Sequence, residues 1–369
     1  MAPDGFGGTL TAVEAAEAVA AGWRAAAPGD RLDVVPLSDG GPGFVAVLHA
    51  ALRGSTLLSV EVEDPLARPV GATVLLDGTT AYVESAQACG LHLLAPDERD
   101  PTVTTTYGVG QLISAALDAG ARRIVVGLGG SATNDGGAGM LAALGLQRLD
   151  AAGQRLAPGG VALRELARLE GDLDPRLREV ELVAATDVDA PLLGLYGASA
   201  VFGPQKGASR EAVALLDGAL TRWADALEPH LGVAVRDLPG AGAAGGLGAA
   251  LLALGAVREP GIAMVQQLVR LAVRAAKADL VVTGEGTFDA TSLRGKVVSG
   301  VASVAADNGL PCLVLAGQVT VGRREVAAAG IDATYAVADA VGVEASMAAP
   351  AEELAALAER VAREWSRGV

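Results

Sequence analysis

Apolar bursts alternate with Ala- and Leu-rich stretches of helical spacing from one end of the chain to the other. Strands covered on both faces read as short continuous apolar runs, so the alternation predicts an α/β protein with largely parallel sheets. Thr11 to Ala27 reads as a helix and Leu32 to Leu37 as a strand. Strands are predicted next at Thr56 to Val62, Thr73 to Leu76 and Thr80 to Glu84, then a helix from Gly108 to Ala119. Arg123 to Val126 reads as a buried strand running into glycines, and further strands as Val180 to Ala185, Leu280 to Thr283 and Leu313 to Ala316. A last helix is predicted from about Pro350 to Trp365. There is no internal repeat and no Ser/Pro-rich linker, so a domain boundary is expected to arise by insertion. Most of these strands lead straight into a polar or glycine-rich turn, and open α/β sheets bind ligands beyond the carboxyl ends of their strands.

Composition narrows the function. The 369 residues suggest two domains. A net charge of −15, with 4 Phe, 3 Trp and 4 Tyr, supplies neither the cationic field nor the stacking platforms that nucleic acid requires. A hydrophobic content of 51% excludes a disordered chain. Cys89, Cys312, His49, His92 and His230 are scattered without ligand spacing, which argues against zinc or a disulfide framework and fits buried thiols in a reducing compartment. No charged-then-apolar leader opens the sequence, and the uncharged run Leu238 to Val257 reads as a glycine-rich loop entering a helix rather than a membrane span. A cytoplasmic protein without membrane or nucleic-acid partners is therefore expected, as a monomer or homodimer. The basic residues include only three lysines, Lys206, Lys277 and Lys296.

Candidate chemistry gathers after the strands. Gly127 to Gly139 (GLGGSATNDGGAG) follows one of them, and its amides, with Ser131 and Thr133, can cradle phosphate. Gly127, Gly129 and Ala132 also satisfy a dinucleotide fingerprint with Asp150 as ribose partner. Gly136 and Gly137 oppose that reading, because adjacent glycines are costly where the fingerprint needs a helix. A tight turn without ligand would use the same residues. Asp187 and Asp189 stand two apart after a strand, so both carboxylates can face one Mg²⁺ or one hydroxyl, although a solvated turn explains them equally. Lys206 lies in a Gly/Pro-rich turn, Val201 to Gly207. Gly240 to Gly246 matches G-x-G-x-x-G with no convincing strand before it, which leaves close helix packing as the competing account. Glu285 and Asp289, with Lys296 nearby, can bind metal, orient a hydroxyl or neutralise a transferring phosphate. A P-loop is excluded, since Val297 follows Lys296 and Ala290 stands in place of its first glycine. Glycine-rich turns, carboxylates and lysines together suggest phosphoryl transfer, which proceeds mainly by positioning and charge neutralisation.

Five motifs in order, Gly129 to Gly139, Asp187 to Leu192, Ala198 to Gly207, Gly242 to Gly248 and Ala278 to Gly286, resemble those of the type I glycerate kinases. The resemblance continues through Leu315 to Gln318 and covers essentially the whole chain. It implies ATP-dependent phosphorylation of D-glycerate, or a closely related small hydroxy acid, to 2-phosphoglycerate, with ATP and Mg²⁺ as cofactors. It also implies two α/β domains: a flavodoxin-like one from residues 1–62 and 278–369, and a larger one, 63–277, inserted into it, with the active site in the cleft. On this reading Asp187, Asp189, Lys206, Lys296 and Asp289 are the catalytic candidates, and Asp187 and Asp189 also the metal ligands. Gly129, Gly130, Ser131, Thr133, Asn134, Asp135, Gly245, Gly246 and Glu285 are expected to bind substrate or nucleotide.

This sequence departs from the family pattern near its start. Gly5 and Gly7 replace a Ser and a Lys, Pro42 and Phe44 replace a Glu and a Thr, Thr287 replaces an Arg, and Met1 stands where an apolar strand usually precedes. These changes remove charges and hydroxyls from strand ends. They raise a competing expectation, a kinase-fold protein of impaired catalysis that binds a metabolite or partner.

Overall fold

The structure, a computed structural model, describes residues 1–293 and 296–366. The chain divides into two compact α/β units: Met1–Asp39, Ala46–Leu52 and Ile262–Val369 form unit one, and Gly40–Val45 with Arg53–Gly261 form unit two.

Unit two is built on a six-stranded sheet. Its strands in chain order are β1 (Thr56–Glu63), β2 (Pro69–Asp77), β3 (Thr80–Glu84), β4 (Arg123–Gly127), β7 (Glu181–Ala185) and β8 (Val257–Glu259), and they lie side by side in that order. A small antiparallel pair, β5 (Gln147–Leu149) and β6 (Arg168–Glu170), stands beside it. The sheet is mixed rather than largely parallel. Asp77 pairs with Thr80 across a two-residue turn in which Gly78 takes φ +59°, so β2 and β3 close as a tight hairpin, and β1 pairs antiparallel with β2. From β3 through β8 the pairing is parallel. The helix Tyr107–Asp118 lays Val109, Leu112, Ile113 and Ala116 against Val74, Val83, Ile124 and Val126, all buried in one core. The uncharged run from Leu238 folds as a turn, the helix Ala243–Ala253 and β8, and among the described residues no helix is long and apolar enough to cross a membrane.

Unit one carries three parallel strands, β9 (Val281–Thr283), β11 (Cys312–Ala316) and β13 (Ala333–Ala336), with β11 central. A two-stranded parallel pair, β10 (Thr287–Phe288) and β12 (Gln318–Val319), continues from their ends. Residues 1–4 run beside β9: the amides of Ala2 and Asp4 donate to the carbonyls of Val282 and Gly284, 2.7 and 2.8 Å. Val35 and Leu37 donate in turn to Met1 and Pro3. The strand expected at Leu32 to Leu37 is thus extended but irregular, because Pro36 on one side and Pro3 on the other remove ladder donors. On one face Trp23 and Val19 of the helix Ala12–Ala26 pack with Leu354, Leu357 and Val361 of the helix Pro350–Trp365, over Leu313 and Leu315.

The unit limits differ from those expected near residues 62 and 278, for identifiable reasons. β1 cannot leave its hairpin partner β2. Residues 262–277 belong with the chain ends, where Ile262 and Gln266 lie against Gly300 of the helix Val297–Asp307.

Gly22 permits the crossing of the two long helices of unit one, since a Cβ there would stand 1.9 Å from the Ala355 carbonyl oxygen. In an open helix Gly→Ala stabilises by about 1 kcal/mol. Here Gly22→Ala is expected to lower the melting temperature by several °C, and a rise would show that the helices do not cross at this point.

Candidate functional site

In unit two the carboxyl ends of the parallel strands are covered by glycine-rich turns. The turn Gly40 to Gly43, with φ +96° and +92° at its first and last residues, sits on the ends of β4 and β7. A Cβ on Gly127 would meet the Gly40 carbonyl oxygen at 2.4 Å, and one on Gly40 the Ala185 carbonyl oxygen at 2.9 Å. Glu84, buried at the end of β3, accepts from the amides of Gly43 and Val45 at 3.0 and 3.2 Å and so anchors the start of the helix Phe44–Ala51. Burial pushes its carboxyl above the usual range, against these hydrogen bonds. Phe44 is fully buried and meets Tyr82 edge to face.

The expected nucleotide-binding residues divide into an exposed tip and a buried base. Gly129 is half-buried and Gly130 exposed, with Pro42 close against Gly130. Among the described residues the amides of Gly129 and Gly130 donate to nothing, which leaves them available to an anion. Ser131, Thr133, Asn134 and Asp135 are buried. Asp135 is consumed internally: it accepts from the Thr106 amide at 2.9 Å, the Thr106 hydroxyl at 3.0 and 3.1 Å, and the amides of Gly137 and Gly139, each at 3.1 Å. Asn134 donates to Ser199 Oγ at 2.8 Å.

Lys206 is 2% exposed, and its ammonium donates to Ser131 Oγ at 2.9 Å and to the Thr133 carbonyl at 2.6 Å. Burial lowers its pKa to about 8, opposed by Cys89 and Asp135. Cys89, in the same interior, is pushed up to about 12 by burial. The expected catalytic lysine therefore stands inside the protein, bonded to the loop at Ser131 and Thr133. Gly245 and Gly246 likewise serve packing. At φ +70° and +89° they press the loop from behind, and a Cβ on Gly245 would lie 1.9 Å from the Thr133 carbonyl oxygen.

Asp189 is 79% exposed and pairs with Arg258 Nη2 at 2.6 Å. Asp187 is half-buried on the same turn after β7. Among the described residues no three His, Cys, Asp or Glu side chains are grouped to hold a metal ion. Mg²⁺ needs less than such a cage, since it takes one or two carboxylates together with substrate phosphates.

Unit one presents a second set at the carboxyl end of its sheet. Glu285 follows β9, is 8% exposed, and among the described residues its Oε1 has no hydrogen-bond partner. Burial raises its pKa, with Lys296 and a Ser292 hydrogen bond pulling the other way. Asp289 spends its carboxylate on a turn, accepting from the Thr291 amide and hydroxyl at 2.7 and 2.6 Å, and it is held low by those bonds. Lys296, half-buried, precedes the helix Val297–Asp307, whose first turn has no side-chain cap. Asp4, absent from the sequence-derived candidates, completes this set. Its pKa is raised to about 8 by burial and then by Asp39, with Glu285 adding to the rise and Lys296 opposing it. The sequence clue was its place at the end of an extended segment ahead of glycines.

The fold class is that of an α/β protein with glycine-rich turns at its strand ends. The sequence matches the profile described as the Glycerate kinase family over residues 1–366. It is 46% identical to the glycerate kinase of Bacillus subtilis (strain 168) over 374 residues, spanning 100% of this chain and 97% of that protein. Identity to the glycerate 2-kinase of Escherichia coli (strain K12) is 44% over 346 residues, 93% of this chain and 91% of that one. A crystal structure assigned to glycerate kinase 2 of Salmonella typhimurium LT2 matches with a TM-score of 0.80 at 43% identity, covering 100% of this chain and 97% of that chain. The chain belongs to the glycerate kinase family.

Two outcomes test the electrostatics. Lys206→Met leaves the Thr133 carbonyl and Ser131 hydroxyl unpaired in the interior, a loss of about 2 kcal/mol, so the melting temperature should fall. An unchanged melting temperature with a raised KM for ATP would instead give Lys206 a ligand. For Asp4, a folded pKa of about 8 against an unfolded value near 3.8 means that the native state binds the extra proton. Its stabilising contribution is full below the unfolded value and is lost as pH rises through about 8. Asp4→Asn should therefore gain a few °C on the wild type between pH 5 and pH 9, and parallel curves would refute the shift.

Proposed function

We propose that this protein transfers the γ-phosphoryl group of ATP to D-glycerate, giving 2-phosphoglycerate and ADP. The observation that carries this reading is a match to the glycerate kinase family along residues 1–366, with 46% identity to a glycerate kinase over its whole length. The open amides of Gly129 and Gly130 suit phosphate oxygens, and Lys296, before the uncapped start of a helix, suits the acceptor's carboxylate. Glu285 suits a substrate hydroxyl through Oε1, which has no partner among the described residues. Asp187 and Asp189 fit Mg²⁺ brought by the nucleotide, Asp189 exchanging its Arg258 partner for the ion. When bound, that ion neutralises phosphate charge. Ser131, Thr133, Asn134, Asp135, Lys206, Gly245, Gly246 and Asp289 act by shaping the turns that carry these groups.

A second reading, binding without chemistry, draws on Gly7, whose φ is +40°, where a Cβ would meet nothing within 4 Å and which offers no cation. ADP release in a coupled assay decides between them. The expected result is D-glycerate-dependent turnover that disappears on chelating Mg²⁺. Binding of glycerate without turnover supports the second reading, and no response to glycerate or related hydroxy acids removes the first.

A further inference from the structure

The first residues of the chain and the turn after β9 are brought together backbone to backbone. Asp4 N–H donates to the Gly284 carbonyl at 2.8 Å, and a Cβ on Gly286 would stand 3.0 Å from the Gly7 amide nitrogen. This close passage brings Asp4 against Gly284, next to Glu285, and the charges of Asp39, Glu285 and Lys296 act on it. Asp4 accepts one local hydrogen bond, from Gly5 N–H at 2.7 Å. Among the described residues Glu285 Oε1 lies buried without a partner, and an unpaired buried acceptor is costly unless a donor arrives. Lys296 supplies a cation at a half-buried position. A carboxylate that can accept a proton, an acceptor oxygen in want of a donor, and an ammonium answer in turn to the reacting hydroxyl, a second hydroxyl and the carboxylate of a dihydroxy acid.

We propose that Asp4 is a catalytic residue that takes the proton of the acceptor hydroxyl, with Glu285 receiving the neighbouring hydroxyl and Lys296 the carboxylate. The inference rests on the kinase reading above. In the step, the hydroxyl oxygen forms a bond to the γ-phosphorus of ATP while the bond from that phosphorus to the β–γ bridging oxygen breaks. The bridging oxygen leaves with its electron pair on ADP, and the hydroxyl proton passes to the Asp4 carboxylate, which returns it to solvent. A general base works best when its pKa lies near the working pH, and the environment of Asp4 raises its carboxyl into that region.

The test compares wild type, Asp4→Asn and Asp4→Glu across pH 6 to 10 with D-glycerate and ATP. Asn keeps the acceptor for Gly5 N–H, and the melting temperature at pH 6 checks that the variant is folded. The expected result is a fall in kcat of about 10²-fold or more for Asp4→Asn, with KM for ATP little changed. The acid limb of the wild-type profile should disappear in Asp4→Asn and persist in Asp4→Glu. A folded Asp4→Asn enzyme with kcat within threefold of wild type and the same pH profile overturns the inference while leaving the kinase reading intact. If Asp4→Asn does not fold, an Asp4→Glu profile lacking the acid limb overturns it equally. Absence of wild-type turnover with D-glycerate and its analogues removes both readings.

Discussion

The contact on which unit two depends is the approach of backbone to backbone at the ends of its parallel strands. Gly127 under Gly40, Gly40 over Ala185 and Gly245 behind Thr133 lie at separations that exclude any Cβ. A turn held this closely cannot sag, so the exposed tip at Gly129 and Gly130 is carried on a rigid base. The buried polar groups then follow by necessity. Folding such a loop inward buries its carbonyls and hydroxyls, and these must be paired. Lys206 pairs the Ser131 hydroxyl and the Thr133 carbonyl, and Asp135 the Thr106, Gly137 and Gly139 amides, while among the described residues Thr133 Oγ1 and Asn134 Oδ1 stay without a partner.

Unit one uses the same device with a different outcome. A Cβ on Gly284 would lie 1.9 Å from the Leu315 carbonyl oxygen, which lets the turn after β9 lie flat on β11. Flatness leaves Glu285 little solvent and brings Asp4 alongside. Desolvation and like charge then work together, pushing both carboxyls above their usual range.

Much of the fold was legible because periodicity reports burial directly. The strand Thr80–Glu84 and the helix Pro350–Trp365 have the limits read from the sequence, and Thr11 caps its helix as its side chain suggests. The antiparallel edge was less legible, because a strand's apolar pattern does not state the direction of its neighbour. Only the turn at Gly78 carried that information. The site was harder for a related reason. A glycine-rich, charged turn after a strand has the same composition whether its side chains face a ligand or fasten the turn from inside. Asp135 and Gly245 could be separated from Gly130 only by burial and by the bonds they make. What makes Asp4 part of its set is the passage of residues 1–4 along β9, a tertiary pairing that the residues at the start of the chain do not declare.

The scarcity of lysine separates these cases further. A chain that meets nearly all its cationic needs with arginine retains an ammonium where a guanidinium would fail. At Lys206 the reason is internal: the two acceptors, a hydroxyl and a carbonyl at 2.9 and 2.6 Å, converge on one nitrogen in a space with almost no exposure. A planar fork with five donors would leave most of them unpaired there. Lys296 has no such enclosure, being half-buried before an uncapped helix and close to Asp4 and Glu285. Its retention cannot be explained by packing of the kind that holds Lys206. Its compact, rotatable ammonium acts instead on Asp4 and Glu285, lowering both carboxyls against the burial that raises them.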